Sequence, residues 1–393
     1  MDAPAIAGVI PPPPRGQAVM RSAVVRADSA EDAVSSLAQA IGTRDLAVVM
    51  IFFPRRLSPS AVADAAARRF AGTPVVGCTT AGEIAGGYLT DAVLAIGLPK
   101  SNFVAATRTL TGLASLESGA VASAVLAARM EVSSAQADWP GTFAMLLVDG
   151  LSRAEDTLVA SITPALGAIP LFGGSAGDGL EFEQTFVLSD GVARQDAAVI
   201  MLVQSRCPVH VFRFDHFRPT DTRMVVTKAD PARRLVSEIN AEPAAVEYAR
   251  IVGLDPGQLG PFAFAAHPVV VRLGGQHHVR AIQKVEKNGD LRFFSAIDEG
   301  LVLRTVEPLN MAEHLDAALT CLARPVPPAA ILGCDCVLRR LEAEDRQMTR
   351  PVSDVLARFG VVGFSTYGEQ HNGLHVNQTF TGVALYPPGD DGR

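Results

Sequence analysis

Lysine is nearly missing from this chain: only Lys100, Lys228, Lys284 and Lys287 carry it, and 34 basic residues face 41 acidic ones, for a net charge of −7. With no basic excess to neutralise a phosphate backbone, nucleic acid is not an expected partner. Cysteine is also scarce. Cys78, Cys207, Cys321, Cys334 and Cys336 are odd in number and scattered, which argues against a disulfide framework and for a reducing, cytoplasmic setting. Long hydrophobic runs are missing too: LAVVMIFF at 46–53 falls far short of the ~20 apolar residues that cross a bilayer, so no membrane span is expected. The first twenty residues lack a basic n-region and are broken by Pro11 to Pro14; they read as a flexible, Pro-rich leader over 1–20 and not as a signal peptide. What remains is an ordinary globular composition, 48% hydrophobic and 19% charged over 393 residues, long enough for two domains.

A unit recurs three times: an apolar strand, a helix, a short strand, and a loop of glycines, small hydroxyls and one acid. The first copy runs from Leu46–Phe53 through a helix near 61–70 into PVVG and the loop Gly77–Glu83, GCTTAGE. The second runs from FAMLLVDG at 143–150 through a helix over 153–166 into PLFG and GGSAGD, Gly173–Asp178. The third runs from AAILGCDC at 329–336 through a helix over 350–359 into VVG and GFSTYGE, Gly363–Glu369. Two Gln-Thr-Phe segments, FEQTFVL at 182–188 and VNQTFTG at 376–382, follow the second and third loops as strands. Strand, crossover helix and parallel strand in succession make the fold class α/β with mixed β-sheets. Loops at strand ends offer amides and side chains to a crevice. Gly77, Thr79, Thr80, Glu83, Gly173, Ser175, Asp178, Ser365, Thr366 and Glu369 are therefore candidate ligand-binding residues around one small pocket. The alternative is that Gly77, Gly82, Gly363 and Gly368 allow tight turns while the acids cap nearby amides.

Between the repeats, strands are expected at 195–203, 209–217 and 262–273, and helices at 231–240, 243–252 and 311–323. The paired amphipathic segments from Pro231 to Leu254 mark a junction near residue 235, dividing the chain into 21–235 and 236–393.

Several constellations carry possible chemistry. Gly173-Gly174-Ser175-Ala176-Gly177 fits the G-x-S-x-G of a hydrolase nucleophile, but the next residues read as strand, whereas a nucleophile elbow turns into a helix. A serine hydrolase using Ser175 stays a rival from another class. No loop has a P-loop or a full dinucleotide fingerprint. Cys334 and Cys336 share a strand face and offer two thiolates to a soft metal, yet no second ligand pair stands out, and buried thiols packing as small hydrophobes are the plainer reading. Asn377-Gln-Thr379 is a glycosylation sequon that a cytoplasmic chain never presents to that machinery. In VHVFRFDHF, alternation puts His210, Phe212, Phe214 and His216 on one face: two imidazoles beside two aromatic rings, the furnishing of a haem slot, though a hydrogen-bonded histidine is the ordinary alternative.

The loops VVGCTTAGEI and VVGFSTYGEQ, with LFGGSAGD between them and HVNQTF after the last, resemble the FIST family of intracellular sensory domains over nearly the whole chain. The family likeness implies a FIST N-terminal domain over about 21–235, a C-terminal one over about 236–388, and a ligand-sensing module of bacterial signal transduction. FGGSAGDGLEFEQTFV, the stretch from Asp215 to Arg250 and CDCVLRRLE resemble in particular the stand-alone haem-binding, nitric-oxide-sensing NosP group. That likeness implies haem as cofactor, nitric oxide bound at an iron held by a histidine, and a partner sensor histidine kinase regulated in trans. His216 is the expected iron ligand, because the generic pattern at this strand does not require a histidine; His210 comes next and Cys207 third. His375 falls in the generic HVNQT signature and is assigned to structure or to a small ligand. The expected function is thus a non-enzymatic sensor of nitric oxide through haem, or of a small polar ligand such as an amino acid. Homo-oligomerisation is left open.

Overall fold

The stretch Leu46–Pro54, LAVVMIFFP, has no polar side chain, and every residue of it is buried. In a strand, where side chains alternate, that requires cover on both faces. The computed structural model describes residues 19–136, 138–273 and 275–389 and supplies that cover; the Pro-rich leader falls almost wholly outside the described residues. Val48, Met50 and Phe52 point into a central core, while Val49, Ile51 and Phe53 point into an outer one filled by helices.

The first unit comprises β1 (Arg21–Val25), α1 (Ala30–Ile41), β2 (Leu46–Pro54), α2 (Pro59–Arg69), β3 (Val75–Thr80), the hairpin β4 (Glu83–Ala85) and β5 (Tyr88–Leu89), and β6 (Val93–Pro99). Ser29 starts α1 by accepting a hydrogen bond from Asp32 N–H, and Gly42, at φ 76°, stops it. The second unit repeats the order with β7 (Phe103–Thr111), α3 (Ser118–Ala135), β8 (Gly141–Val148), α4 (Glu155–Leu166), β9 (Leu171–Ser175), the hairpin β10 (Val187–Ser189) and β11 (Val192–Arg194), and β12 (Ala197–Ser205). The third opens with β13 (Val209–Phe214) and is then interrupted. The insertion holds β14 (Phe217–Asp230), β15 (Leu235–Ile239), β16 (Glu242–Pro243), α5 (Ala244–Val252), α6 (Pro261–Ala266), β17 (Val269–Leu273), β18 (Gln276–Arg280), β19 (Ile282–Val285), β20 (Leu291–Phe293) and β21 (Val302–Pro308). The third unit resumes with α7 (Met311–Leu322), β22 (Ala330–Cys336), α8 (Val337–Asp345), α9 (Thr349–Arg358), β23 (Val361–Thr366), the hairpin β24 (Glu369–His371) and β25 (Leu374–Val376), and β26 (Phe380–Leu385). The fold is α/β, with three mixed sheets and one antiparallel one among the described residues.

Each unit builds a six-stranded sheet around one parallel pair, β2 with β3, β8 with β9, and β22 with β23. No unit keeps its own hairpin. β4–β5 joins the sheet of the third unit at β23, β24–β25 joins the second at β9, and β10–β11 joins the first at β3. The exchange runs in one direction around a ring. Inside the ring the sheets share one core, where Phe52 stacks on Phe364 at 4.1 Å and Phe143 meets Phe172 at 5.9 Å. Cys78, Cys207 and Cys334 pack there as small apolar groups, and among the described residues no disulfide forms and no cluster of three or more His, Cys, Asp or Glu side chains is placed to hold a metal.

The insertion forms a separate antiparallel sheet with its own core under α5 and α6, and rests on α8 through Val270, Val279 and Phe294. Four local expectations change here. Residues 231–240 hold one 3-10 turn, Pro231–Arg233, and then β15, Leu235–Ile239, in place of an α-helix: Arg234, Asn240 and Ala241 adopt left-handed backbone, φ 55°, 53° and 64°, which ends a helix at either side. The junction expected near residue 235 therefore falls inside the inserted sheet. At 262–273 only Val269–Leu273 is strand, since Pro261 opens the short helix α6 and Pro268 separates the two. The strand expected over 209–217 breaks at Asp215-His216, where the chain leaves β26 for the insertion. Of FEQTFVL, only Val187 and Leu188 reach strand β10.

Candidate ligand-binding site between the second and third units

Gly77, Gly173 and Gly363 occupy one equivalent place, in the strand paired parallel with the unit's central strand. A Cβ there would collide with the carbonyl oxygen of Ile51, Leu146 or Gly333. These glycines are strand positions of close approach, and the turns come after them. The three segments then bind one another. Ala81 N–H donates to the Ser365 carbonyl at 3.0 Å, Gly177 N–H to Thr79 at 3.0 Å, and Ser175 N–H to Gly368 at 2.8 Å.

The acids turn into this knot, and of the three only Asp178, beside Thr80, also lines a crevice, of about 350 Å³. Glu83 accepts from the Thr80 hydroxyl at 2.6 Å and Ala92 N–H at 3.2 Å. Glu369 accepts from the Thr366 hydroxyl, and from Thr379 N–H and hydroxyl at 3.2 and 2.7 Å. Asp178 accepts from the amides of Phe182, Glu183 and Gln184 at 2.9, 2.8 and 2.7 Å, and from Tyr367. Burial pushes the Glu83 carboxyl up to about 7 and that of Glu369 to about 8.

One seam of the knot differs from the other two. Opposite Gly173 stands Gln370; the residues opposite Gly363 and Gly77 are Ile84 and Leu188. Across each hairpin these face His375, Tyr88 and Ala193 in turn. The seam between β9 and β24 thus carries an amide and an imidazole where its counterparts carry Ile84 with Tyr88 and Leu188 with Ala193. Gln370 Nε2 donates to Ser175 Oγ at 3.0 Å, and Ser175 Oγ lies 3.5 Å from Glu155 Oε1. Glu155 is paired with Arg234 at 2.7 Å. Ser295 donates to Asn377 Oδ1 at 3.1 Å, and Arg280 to the His375 carbonyl at 3.3 Å. Arg234, Arg280 and Ser295 all come from the insertion, so three parts of the chain close over one polar cluster.

All of these side chains are buried, yet both ring nitrogens of His375, Nδ2 of Asn377 and Oε1 of Gln370 have no partner among the described residues. Leaving such a group unpaired costs ~1–3 kcal/mol, so four together call for partners, from ordered water or from a ligand. Burial lowers the His375 pKa, which keeps the ring neutral, with one nitrogen to donate and one to accept. Gly368 is required here: a Cβ on it would stand 2.5 Å from the imidazole and 2.9 Å from Asn377 Nδ2. Sequence reasoning selected Ser175 and His375 but missed Gln370 and Asn377, Ser295, Glu155 and the two arginines. The signal for Gln370 was present, since GEI in the first loop aligns with GEQ in the third.

His216 is placed elsewhere. It lies beyond the end of β13, 1% exposed, and does not share a strand face with Phe212 and Phe214, which stack on each other at 4.8 Å. Arg339 donates to its Nδ1 at 2.7 Å, so Nε2 carries the proton and donates to Glu342 at 2.8 Å. Burial lowers the His216 pKa to about 2, and burial raises that of Glu342 to about 7. Both nitrogens are occupied, and iron ligation there would take one of them from a buried group, Glu342 at Nε2 or Arg339 at Nδ1. Cys207 is sealed in the central core. His210 is exposed, on the rim of a groove of about 450 Å³ with Phe212, Phe214 and His371. Ser175 is fully buried at the end of β9, which no helix follows directly.

Family comparison gives two adjacent matches: the FIST N domain over residues 46–242 and the FIST C domain over residues 244–372. No curated protein matches the chain. The two matches meet inside the insertion, between β16 and α5.

Proposed function

The chain belongs to the FIST family of signal-transduction sensor domains, and from that premise we propose that it is a cytoplasmic, non-enzymatic sensor of a small polar ligand held by Ser175, Gln370, His375 and Asn377. The observation that carries this reading is the set of unpaired buried atoms at the one seam where a glutamine replaces Ile84 and Leu188. An α-amino acid matches the donor set: Gln370 Oε1 accepts from an ammonium, while Asn377 Nδ2 and the His375 N–H donate to a carboxylate. The test is thermal stabilisation by a panel of proteinogenic amino acids. At least one should raise the melting temperature of the wild type by several degrees and leave His375→Ala and Gln370→Leu unmoved, because only the native state binds it. A panel without effect on the wild type would reject the reading and leave ordered water as the guest.

Haem with nitric oxide, reporting to a partner histidine kinase, is the second reading, and the groove at His210 favours it. Residues at His216 do not fit haem, for the reasons of burial and occupied nitrogens given above. At His210 an exposed imidazole stands beside Phe214, and it would hold the iron; haem bound there would supply the metal at which nitric oxide binds. A Soret band lost in His210→Ala and retained in His216→Ala is the expected result. No specific haem uptake by the wild type would remove this reading.

A further inference from the structure

A cleft of about 490 Å³ opens between the second unit and the insertion, outside the buried cluster just described. Its wall carries Arg153, Arg234, Lys284 and Arg292 against one carboxylate, Glu181, in a protein whose net charge is −7. Three of the cations are held from behind. Glu155 fixes Arg234 at 2.7 Å, and Glu286 fixes both Arg292 and, at 3.6 Å, Lys284. Arg153 has no such partner among the described residues. Partial burial and then the like charges of Arg292, Arg234 and Arg233 lower its pKa, the mark of crowded guanidinium groups with too few anions.

The lining also has an aromatic part. Phe182 and Phe294 supply it, with Phe182 stacked on Tyr367 at 4.4 Å and tilted against Phe294 at 5.9 Å. Arg153, Phe182 and Arg234 all hold left-handed backbone, φ 60°, 55° and 55°, where bulky side chains are rarely found. For Phe182 the restraint is visible: the Asp178 carboxylate accepts from its amide at 2.9 Å. Three strained residues converging on one cleft indicate positions kept for what the side chains do.

We propose that this cleft is a second binding site, for a small molecule with an oxyanion head at Arg153 and Arg292 and an aromatic or apolar body against Phe182 and Phe294. Planar guanidinium groups recognise carboxylate and phosphate alike through paired N–H donors. The site is distinct from the buried cluster, with which it shares Arg234, the partner of Glu155; Arg153 and Arg292 do not touch Gln370, His375 or Asn377.

The probes are phenyl phosphate, benzoate, inorganic phosphate and benzyl alcohol, titrated calorimetrically into the full chain. Binding of phenyl phosphate or benzoate is expected, with the stronger of the two identifying the head group, and inorganic phosphate weaker for want of a body. Affinity should fall about tenfold in Arg153→Gln and stay unchanged in His375→Ala. Arg153 is exposed, so its replacement leaves folding intact, which circular dichroism checks. Absence of binding by both aromatic anions, equal affinity in Arg153→Gln and Arg292→Gln, or benzyl alcohol binding as well as the anions would each overturn the proposal. Loss of amino-acid stabilisation with the cleft still binding its anion would instead strike only the function proposed above.

Discussion

Glu369 shows how a single side chain changes meaning between sequence and structure. A carboxylate in a glycine loop looks like a ligand contact, but Thr366 and Thr379 close on it from both sides and water is excluded. With its pKa raised from 4.5 to about 8, the folded protein holds a proton that the unfolded chain releases. That contribution to stability is fully present below about pH 4.5 and is lost as pH rises to about 8. Glu369→Gln removes the dependence. Urea unfolding should show the variant gaining on the wild type by on the order of 4 kcal/mol between about pH 5 and pH 9; a constant gap across that range would contradict the buried, protonated carboxyl. His216 was legible as unusual, and its burial against Arg339 and Glu342 was not, because those partners lie on α8, which the sequence reading did not place. Gln370 was legible by aligning the loops. The unpaired state of His375 and Asn377 was not, since it depends on where side chains from the insertion end: Ser295 meets only Asn377 Oδ1, and Arg280 meets the His375 carbonyl and not its ring.

At the level of elements, the three strand-helix-strand repeats were readable because apolar strands covered on both faces leave runs such as LAVVMIFF. The elements misread were those where two periods compete: LVSEI satisfies a helical stripe as well as a strand, and only the left-handed residues on either side decide it. The same reading placed Gly77, Gly173 and Gly363 in loops, whereas they lie in strands and a Cβ on them would meet carbonyl oxygens of the neighbouring strand. Gly173→Ala should therefore cost more than about 3 kcal/mol or prevent folding, as backbone has nowhere to retreat in a packed sheet. Gly179, at φ 81° with nothing within 4 Å of a Cβ, should lose only about 1 kcal/mol on the same change. Denaturant midpoints for the two variants compare them directly, and equal losses would refute the close-approach account.

For the whole molecule, the exchange of hairpins means that no division of the chain respects the sheets. A fragment covering 21–235 lacks β24–β25, the partner of β9, and β23, the partner of β4. It should expose apolar edges, bind a hydrophobic dye and show no cooperative unfolding; a sharp transition from the fragment alone would show that the halves fold independently. The ring was invisible in the sequence because the repeats announce strands, not which strand each one joins. Three separate copies passing hairpins head to tail could close the same ring, but an assembly of that kind comes apart on dilution. Here the three units lie on one chain, so each meets its neighbours at a fixed effective concentration. The architecture survives at copy numbers too low for a trimer to persist, and because one insertion covers one seam, the ring carries one such polar cluster per chain instead of three.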